Sequence, residues 1–226
     1  MIPPVDDPLR MFIVVRRGAV TTLARGGELA GAAAVRCVRT FADDERFACD
    51  LATWRERPGK VTLRARGGQW DQLLEQEAHV AAGDGVVALP PRRRSARGPL
   101  LERLQAMTSA LEPPPEEVEP DPARLTYLVN PRLEMSSGKT LAQIAHAAVI
   151  AADSGAVEAW VAGGCPALVT APPQSVFDGL CTSDTLAARV VDGGLTEVPP
   201  GTVTVLALPP GVSIDRYASI PRGNET

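Results

Sequence analysis

Lysine and histidine are rare in this chain, two of each among 226 residues, and one of each falls in a single stretch, MSSGKTLAQIAHAAVIAADS at 135–154. There Lys139 follows Gly138, and Gln143 and His146 stand four and seven residues further on. On a helix such positions share one face. The three polar groups therefore form a stripe on an element otherwise built from Leu, Ile, Val and Ala. Gly138 lets the backbone turn tightly into the helix, and Ser136 or Ser137 can cap it. A helix start offers N–H groups and the positive end of the dipole, which suits an anion. A lysine in the first turn opposes that dipole, so packing alone gives no reason for Lys139. A polar stripe on a helix that is otherwise buried is expected to form the wall of a cleft. Gly-Lys-Thr after a strand also suggests a phosphate loop, but the first glycine of that motif would fall on Leu133. Without it the backbone cannot wrap a phosphate, and that reading is set aside.

The elements that must position this stripe come in two similar sets. Each half of the chain opens with a short apolar run, MFIVV (11–15) and LTYLV (125–129), expected to be a buried strand. Each then has an alanine-rich helix, RGGELAGAAAVRCVRTF (25–41) and SGKTLAQIAHAAVIAAD (137–153), followed by a tryptophan, Trp54 or Trp160. A β-branched run follows, KVTLRA (60–65) against PALVTA (166–171), and VVALPP (86–91) resembles TVLALPP (204–210). Alternating strands and helices predict an α/β fold in two tandem α/β/α lobes, each a small mixed sheet with helices on both faces. Active residues are expected at strand ends and helix starts. Between the halves, LEPPPEEVEPDPA is rich in proline and acid without periodicity, the mark of a linker. The expected division is a first lobe at 1–110, a linker at 111–124, a second lobe at 125–213 and a flexible tail at 214–226. RVVDGGLTEVPPGTVTVLALPPG (189–211) reads as a strand ending in Asp192, a Gly-Gly turn and a closing strand, for which 77–91 is too short to hold a full counterpart.

Composition bounds the rest. No run of about 18 apolar residues exists, and MIPPVDDPLR lacks the basic and apolar regions of a secretory signal. The four cysteines are scattered with no C-x-x-C pair, which suits reduced thiols rather than a disulfide framework or a zinc site. A cytoplasmic protein without metal or other cofactor is expected. The net charge of −4 hides an asymmetry, with residues 1–110 at +4 and the linker and second half each at −4. A nucleic-acid partner would be held mainly by the first half, where RRRSAR places Arg92, Arg93 and Arg94 as candidate phosphate contacts. As a short run, it is equally a solvated loop.

The second half resembles the type 2 peptidyl-tRNA hydrolase family. The resemblance rests on M-x-x-G-K-x-x-A-Q-x-x-H-A at 135–147, D-x-G-x-T at Asp192, Gly194 and Thr196, and PPGTVTVLAL at 199–208, in the family's order over about 125–213. It implies hydrolysis of the ester joining a peptide to tRNA, with tRNA or peptidyl-tRNA as the partner, on a small mixed sheet with helices on both faces. By the same resemblance Lys139, Asp192 and Thr196 are the catalytic group, with Gly138, Gln143, His146 and Thr204 on the substrate side. In ester hydrolysis a cation such as Lys139 or a helix-start N–H can stabilise the oxyanion, Asp192 can orient or deprotonate water, and Thr196 can hold water or substrate. A non-catalytic RNA- or protein-binding relative is the alternative.

Three positions depart from the family pattern. Ser136-Ser137 stands where Gly-Lys is frequent, the first strand runs into Asn130-Pro131-Arg132, and Glu197 replaces an uncharged Gln. The first half departs further. With Gly27 aligned on Gly138, Glu28, Ala32 and Val35 replace the lysine, glutamine and histidine, so a degenerate copy is expected to keep the scaffold without the chemistry. Family members commonly pair, which makes an intramolecular pseudo-dimer of the two lobes the expected arrangement, with a homodimer of the chain also possible.

Overall fold

The structure, a computed structural model, describes residues 7–194 and 197–214. The expected tail falls on 214–226, which apart from Ile214 lies outside the described residues. In the first half the elements are β1 (Leu9–Arg16), α1 (Leu23–Phe41), α2 (Ala48–Glu56), β2 (Gly59–Ala65), α3 (Gly67–Gln76), β3 (Val80–Ala81), β4 (Val86–Arg93), α4 (Gly98–Arg103) and β5 (Gln105–Ala106). In the second they are β6 (Leu125–Val129), α5 (Ser137–Asp153), α6 (Glu158–Ala162), β7 (Ala167–Thr170), α7 (Gln174–Leu180), β8 (Ala188–Val191) and β9 (Val203–Leu208).

Two mixed sheets result, ordered β3-β4-β1-β2-β5 and β8-β9-β6-β7. Apart from the added edge strand β5, they share order and sense. The strand pairs β1/β2 and β6/β7 are parallel, and β1/β4, β3/β4, β6/β9 and β8/β9 are antiparallel. The fold is thus the expected α/β one, with helices on both faces of each sheet. The first half, expected to be too short for a full counterpart of β8 and its loop, holds a partial counterpart of β8. It is β3, cut to two residues because a short turn replaces the longer loop that follows β8. RRRSAR, read as a basic stretch or solvated loop, carries the end of β4 and one 3₁₀ turn, with α4 and β5 following.

The sheets do not enclose separate cores. One apolar cluster runs from the inner face of β1 (Met11, Ile13, Val15) through α1 and α5 to the inner face of the second sheet (Tyr127, Val169, Val205). Separate clusters fill the outer faces, under α3 and α4 on one side and under α7 on the other. The middle layer is the pair α1 and α5, packed on each other and on both sheets. Small residues permit it: a Cβ on Gly27 would lie 2.7 Å from Ile144 Cδ1, and one on Gly31 would lie 2.8 Å from the Tyr127 hydroxyl. Burying apolar surface contributes about 25 cal/mol per Å², and backbones this close leave little of either helix in water. The contacts are reciprocal, since α1 reaches across to β7 and α5 reaches across to β2. Both tryptophans brace the layer in the same way, Trp54 donating to the Gly59 carbonyl (2.8 Å) and Trp160 to that of Pro166 (2.7 Å).

The segment 111–124 crosses between the sheets as a fixed strap. Leu23 N–H donates to Glu112 O, Glu112 N–H to Thr21 O, Ala171 N–H to Pro115 O and Gly211 N–H to Asp121 O. Among the described residues no helix is long and apolar enough to cross a membrane.

Candidate active site

Helix α5 begins at an N-cap, Ser136, whose hydroxyl accepts from the Lys139 N–H at 3.2 Å. Its first turn is more occupied than a bare helix start. Gly138 N–H donates to Met107 O at 3.1 Å, and the Ser137 hydroxyl accepts from Leu111 N–H at 2.9 Å. A Cβ on Gly138 would stand 2.3 Å from Met107 O. Gly138 is needed because first-half backbone lies across the helix end. Its N–H is spent on that contact, while Gly138 itself lines the cleft described below. Glu197 adds the anion that such an end attracts, accepting from Ser136 N–H at 2.6 Å and from the Ser136 hydroxyl at 2.7 Å. Two departures from the family pattern are therefore partners.

One turn along, the stripe meets the end of β8. Lys139 Nζ reaches Asp192 Oδ2 at 2.5 Å, and Gln143 Nε2 donates to the same oxygen at 2.6 Å. Gly194 N–H donates to Asp192 Oδ1 at 2.8 Å. The Gly-Gly turn serves this bond: Gly194 has a φ of +74°, and a Cβ there would meet Pro200 at 2.6 Å. Behind Gln143, the buried Thr204 hydroxyl donates to its Oε1 at 3.1 Å and fixes which way the amide points. Side-chain exposure is 13% for Lys139 and 7% for Asp192. Burial alone would raise the Asp192 pKa. The hydrogen bonds from Lys139, Gly194 and Gln143, with the Lys139 charge, outweigh it and hold the pKa below the ordinary carboxylate value. Asp192 is ionised at neutral pH.

Lys139, Gln143 and Asp192 line one cleft of about 450 Å³, a size suited to a small ligand or the end of a larger one, whereas Thr204, expected on the substrate side, is buried behind Gln143 and does not line it. His146 lines it deeper along α5, with its pKa pushed down to about 3 by burial and by the charge of Lys60, against a smaller opposing pull from Asp192. Thr196 lies outside the described residues. The facing wall belongs to the first half: Lys60 and Thr62 of β2, Met107 and Thr108 beyond β5, and Arg10, Arg94 and Arg97. Of the arginines expected to meet phosphate, Arg94 is exposed on this wall, while Arg92 and Arg93 do not line it. Arg92 is paired with Glu77 at 2.8 Å, and Arg93 donates to Asp7 O at 3.1 Å. These local partners hold them away from the cleft. Sequence reasoning passed over Arg10, Lys60 and Thr62, although the scarcity of lysine was a signal for Lys60.

The matching end of α1 holds no such group. Glu28, at the position of the lysine, is paired with Arg25 at 2.5 Å and with Arg124 at 3.0 Å, and Ala32 and Val35 are buried.

Comparison with known proteins finds matches in the second half. The family model of peptidyl-tRNA hydrolase PTH2 matches residues 123–216. A peptidyl-tRNA hydrolase of Thermococcus sibiricus is 34% identical over 95 residues, covering 37% of this chain and 80% of the relative. No solved structure was found to match the chain. The matched span holds α5 with its polar stripe, Asp192 and the closing strand, and through that second half the chain belongs to the peptidyl-tRNA hydrolase PTH2 family.

Proposed function

We propose that the chain is a peptidyl-tRNA hydrolase, cleaving by attack of water the ester that joins a peptide or N-blocked amino acid to tRNA. The observation that carries this reading is the meeting of Lys139, Gln143 and Asp192 on one cleft wall. The hydrogen bonds support these roles. Asp192 Oδ2 already accepts two donors and Oδ1 accepts one, so the open acceptor site on Oδ1 is where a water is held. With its pKa lowered, Asp192 orients that water more than it removes a proton before attack. Lys139 supplies the positive charge beside which the oxyanion develops, and no step calls for a metal. Gln143, steadied by Thr204, keeps the carboxylate from rotating. Thr196 is assigned to water or substrate through the family resemblance alone.

In this reading tRNA is the partner, and Arg10, Arg94 and Arg97 at the cleft meet its phosphates. The shared strand order and the reciprocal contacts of α1 and α5 support a pseudo-dimer of a working and a degenerate lobe. The test is hydrolysis of N-acetylaminoacyl-tRNA by the wild type, Lys139→Ala and Asp192→Asn. Each substitution is expected to lower the rate roughly 10²–10⁴-fold. An inactive wild type, or activity indifferent to both changes, refutes the proposal. The Glu197 carboxylate on the cleft wall favours a second reading, a binding relative without catalysis, which the assay assigns if the wild type holds tRNA and leaves the ester intact.

A further inference from the structure

The two inner sheet faces that flank the central layer differ in a way that packing does not require. Met11 stands opposite Lys60 in the β1/β2 register, and Leu125 stands opposite Ala167 in β6/β7. From these matching points, β7 presents Ala167 and Val169 inward, and α1 closes on them: a Cβ on Gly27 would lie 3.0 Å from Val169. At the same places β2 presents Lys60 and Thr62, which line the cleft beneath α5. One flank is sealed with apolar contacts. Its counterpart is polar and open.

Both polar groups on the open flank lack partners. Lys60 Nζ and Thr62 Oγ1 are buried and have no hydrogen bond among the described residues. Lys60 Nζ lies 4.4 Å from the centre of the Trp54 ring, a contact that orients an ammonium without replacing its lost water. Burial lowers its pKa well below the usual value, with Asp153 opposing, and Asp153 is itself paired with Arg55. Burying a polar group without a hydrogen-bond partner is costly. A residue serving only to fill the layer would be apolar, as Ala167 is.

We propose that Lys60, with Thr62, is an oxygen-binding subsite of the cleft, supplied by the first lobe, which takes a carbonyl or phosphate oxygen of the substrate whose ester lies at Lys139 and Asp192. The identity of the substrate rests on the hydrolase reading; the existence of the subsite does not. Lys60 donates its proton along the cleft toward the ligand oxygen, and Thr62 donates its hydroxyl beside it. His146, on the opposite wall, is held neutral by burial, which leaves Lys60 and Thr62 as the donors at that depth. The first lobe, whose own helix start is taken up by the Glu28 ion pairs, thereby becomes the second wall of its neighbour's site.

Because the chain has only two lysines, amine labelling can read both separately. The full chain is reductively methylated at near-neutral pH over a time course long enough for the buried Lys60 to react without a probe, and modification of Lys60 and Lys139 is measured by peptide mass spectrometry. Two probes are used: deacylated tRNA, which brings phosphates without an acyl group, and 3′-(N-acetylaminoacyl)amido-adenosine, which brings carbonyl oxygens without phosphates. Protection of Lys60 by the first probe assigns a phosphate oxygen, and protection by the second a carbonyl oxygen. Protection of Lys139 with Lys60 unchanged overturns the subsite. If neither lysine is protected and the ester survives, the subsite and the hydrolase reading both fall. Lys60 protected in an inactive protein removes the hydrolysis and keeps the subsite.

Kinetics give an independent arm. Lys60→Met is expected to raise KM roughly 10- to 100-fold, the worth of a hydrogen bond to a charged group, with a smaller effect on kcat. Its Tm should rise by about 2–4 °C as an unpartnered buried polar group leaves the interior. Thr62→Val, nearly isosteric, should raise KM several-fold. A lower Tm with KM unchanged in both variants is the signature of a packing role and overturns the proposal.

Discussion

Gly138→Ala is the substitution for which local and tertiary effects oppose each other most clearly. Gly138 lies in the first turn of α5 with ordinary helical geometry, and alanine there improves helix propensity by about 0.5–1 kcal/mol. A helix end exposed to water would therefore be stabilised. Here the new methyl would meet Met107 O at 2.3 Å and Met107 C and Cβ at 3.1 Å. The nearest atom is backbone, which cannot rotate aside, so the segment after β5 must lift by about 1 Å to restore normal contact. Such overpacking costs about 1–3 kcal/mol. The lift also strains the Gly138 N–H bond to Met107 O and the Leu111 N–H bond to the Ser137 hydroxyl, each worth about 0.5–1.5 kcal/mol. Net destabilisation of about 2–4 kcal/mol follows, a fall in Tm of roughly 4–15 °C for a chain of this size. Differential scanning calorimetry with urea titration measures it. Hydrolysis should fall as well, since Met107 and Thr108 line the cleft. A variant as stable as the wild type, or more so, refutes the account of how the first half seals the helix start.

Two further outcomes are expected. In tRNA binding, neutralising Arg10 or Arg94 on the cleft should reduce the slope of log affinity against log salt by about one per lost phosphate contact, whereas Arg92→Gln, which only frees Glu77, should leave the slope unchanged. The second concerns acid. The Asp192 pKa is lowered on folding, so its contribution to stability is present above the unfolded value near 3.8 and is lost as pH falls through the folded value. Urea midpoints taken from pH 6 down to 3 should drop more steeply for the wild type than for Asp192→Asn.

How far the sequence carried depended on whether a feature was local. Helix α5 spans 137–153, the same residues that the alanine-rich pattern marked, because spacing and cap lie within the element. The α/β class and the likeness of the halves were legible for the same reason. Asp192 and Lys139 are 53 residues apart, and only the family motif linked them before the fold brought them together. Lys60 carried no motif. Its place in the cleft comes from α5 packing across β2, a contact between halves that no spacing encodes. Read alone, Ser136 and Glu197 each looked like a loss; as bonded partners they cap one helix. RRRSAR showed its charge in the sequence but not its direction, which the pairing of Arg92 with Glu77 decides.

The shared middle layer bears on how such a site can change over time. In a pair of identical chains the two-fold axis copies every substitution, so a lysine placed beside one site stands beside both. Two sheets on one polypeptide carry no such obligation. Val169 and Thr62 occupy matching registers on the two flanks of this layer, yet a change at Val169 is read in folding stability and a change at Thr62 in ligand affinity. Covalent union has made one flank heritable as structure and the other as specificity.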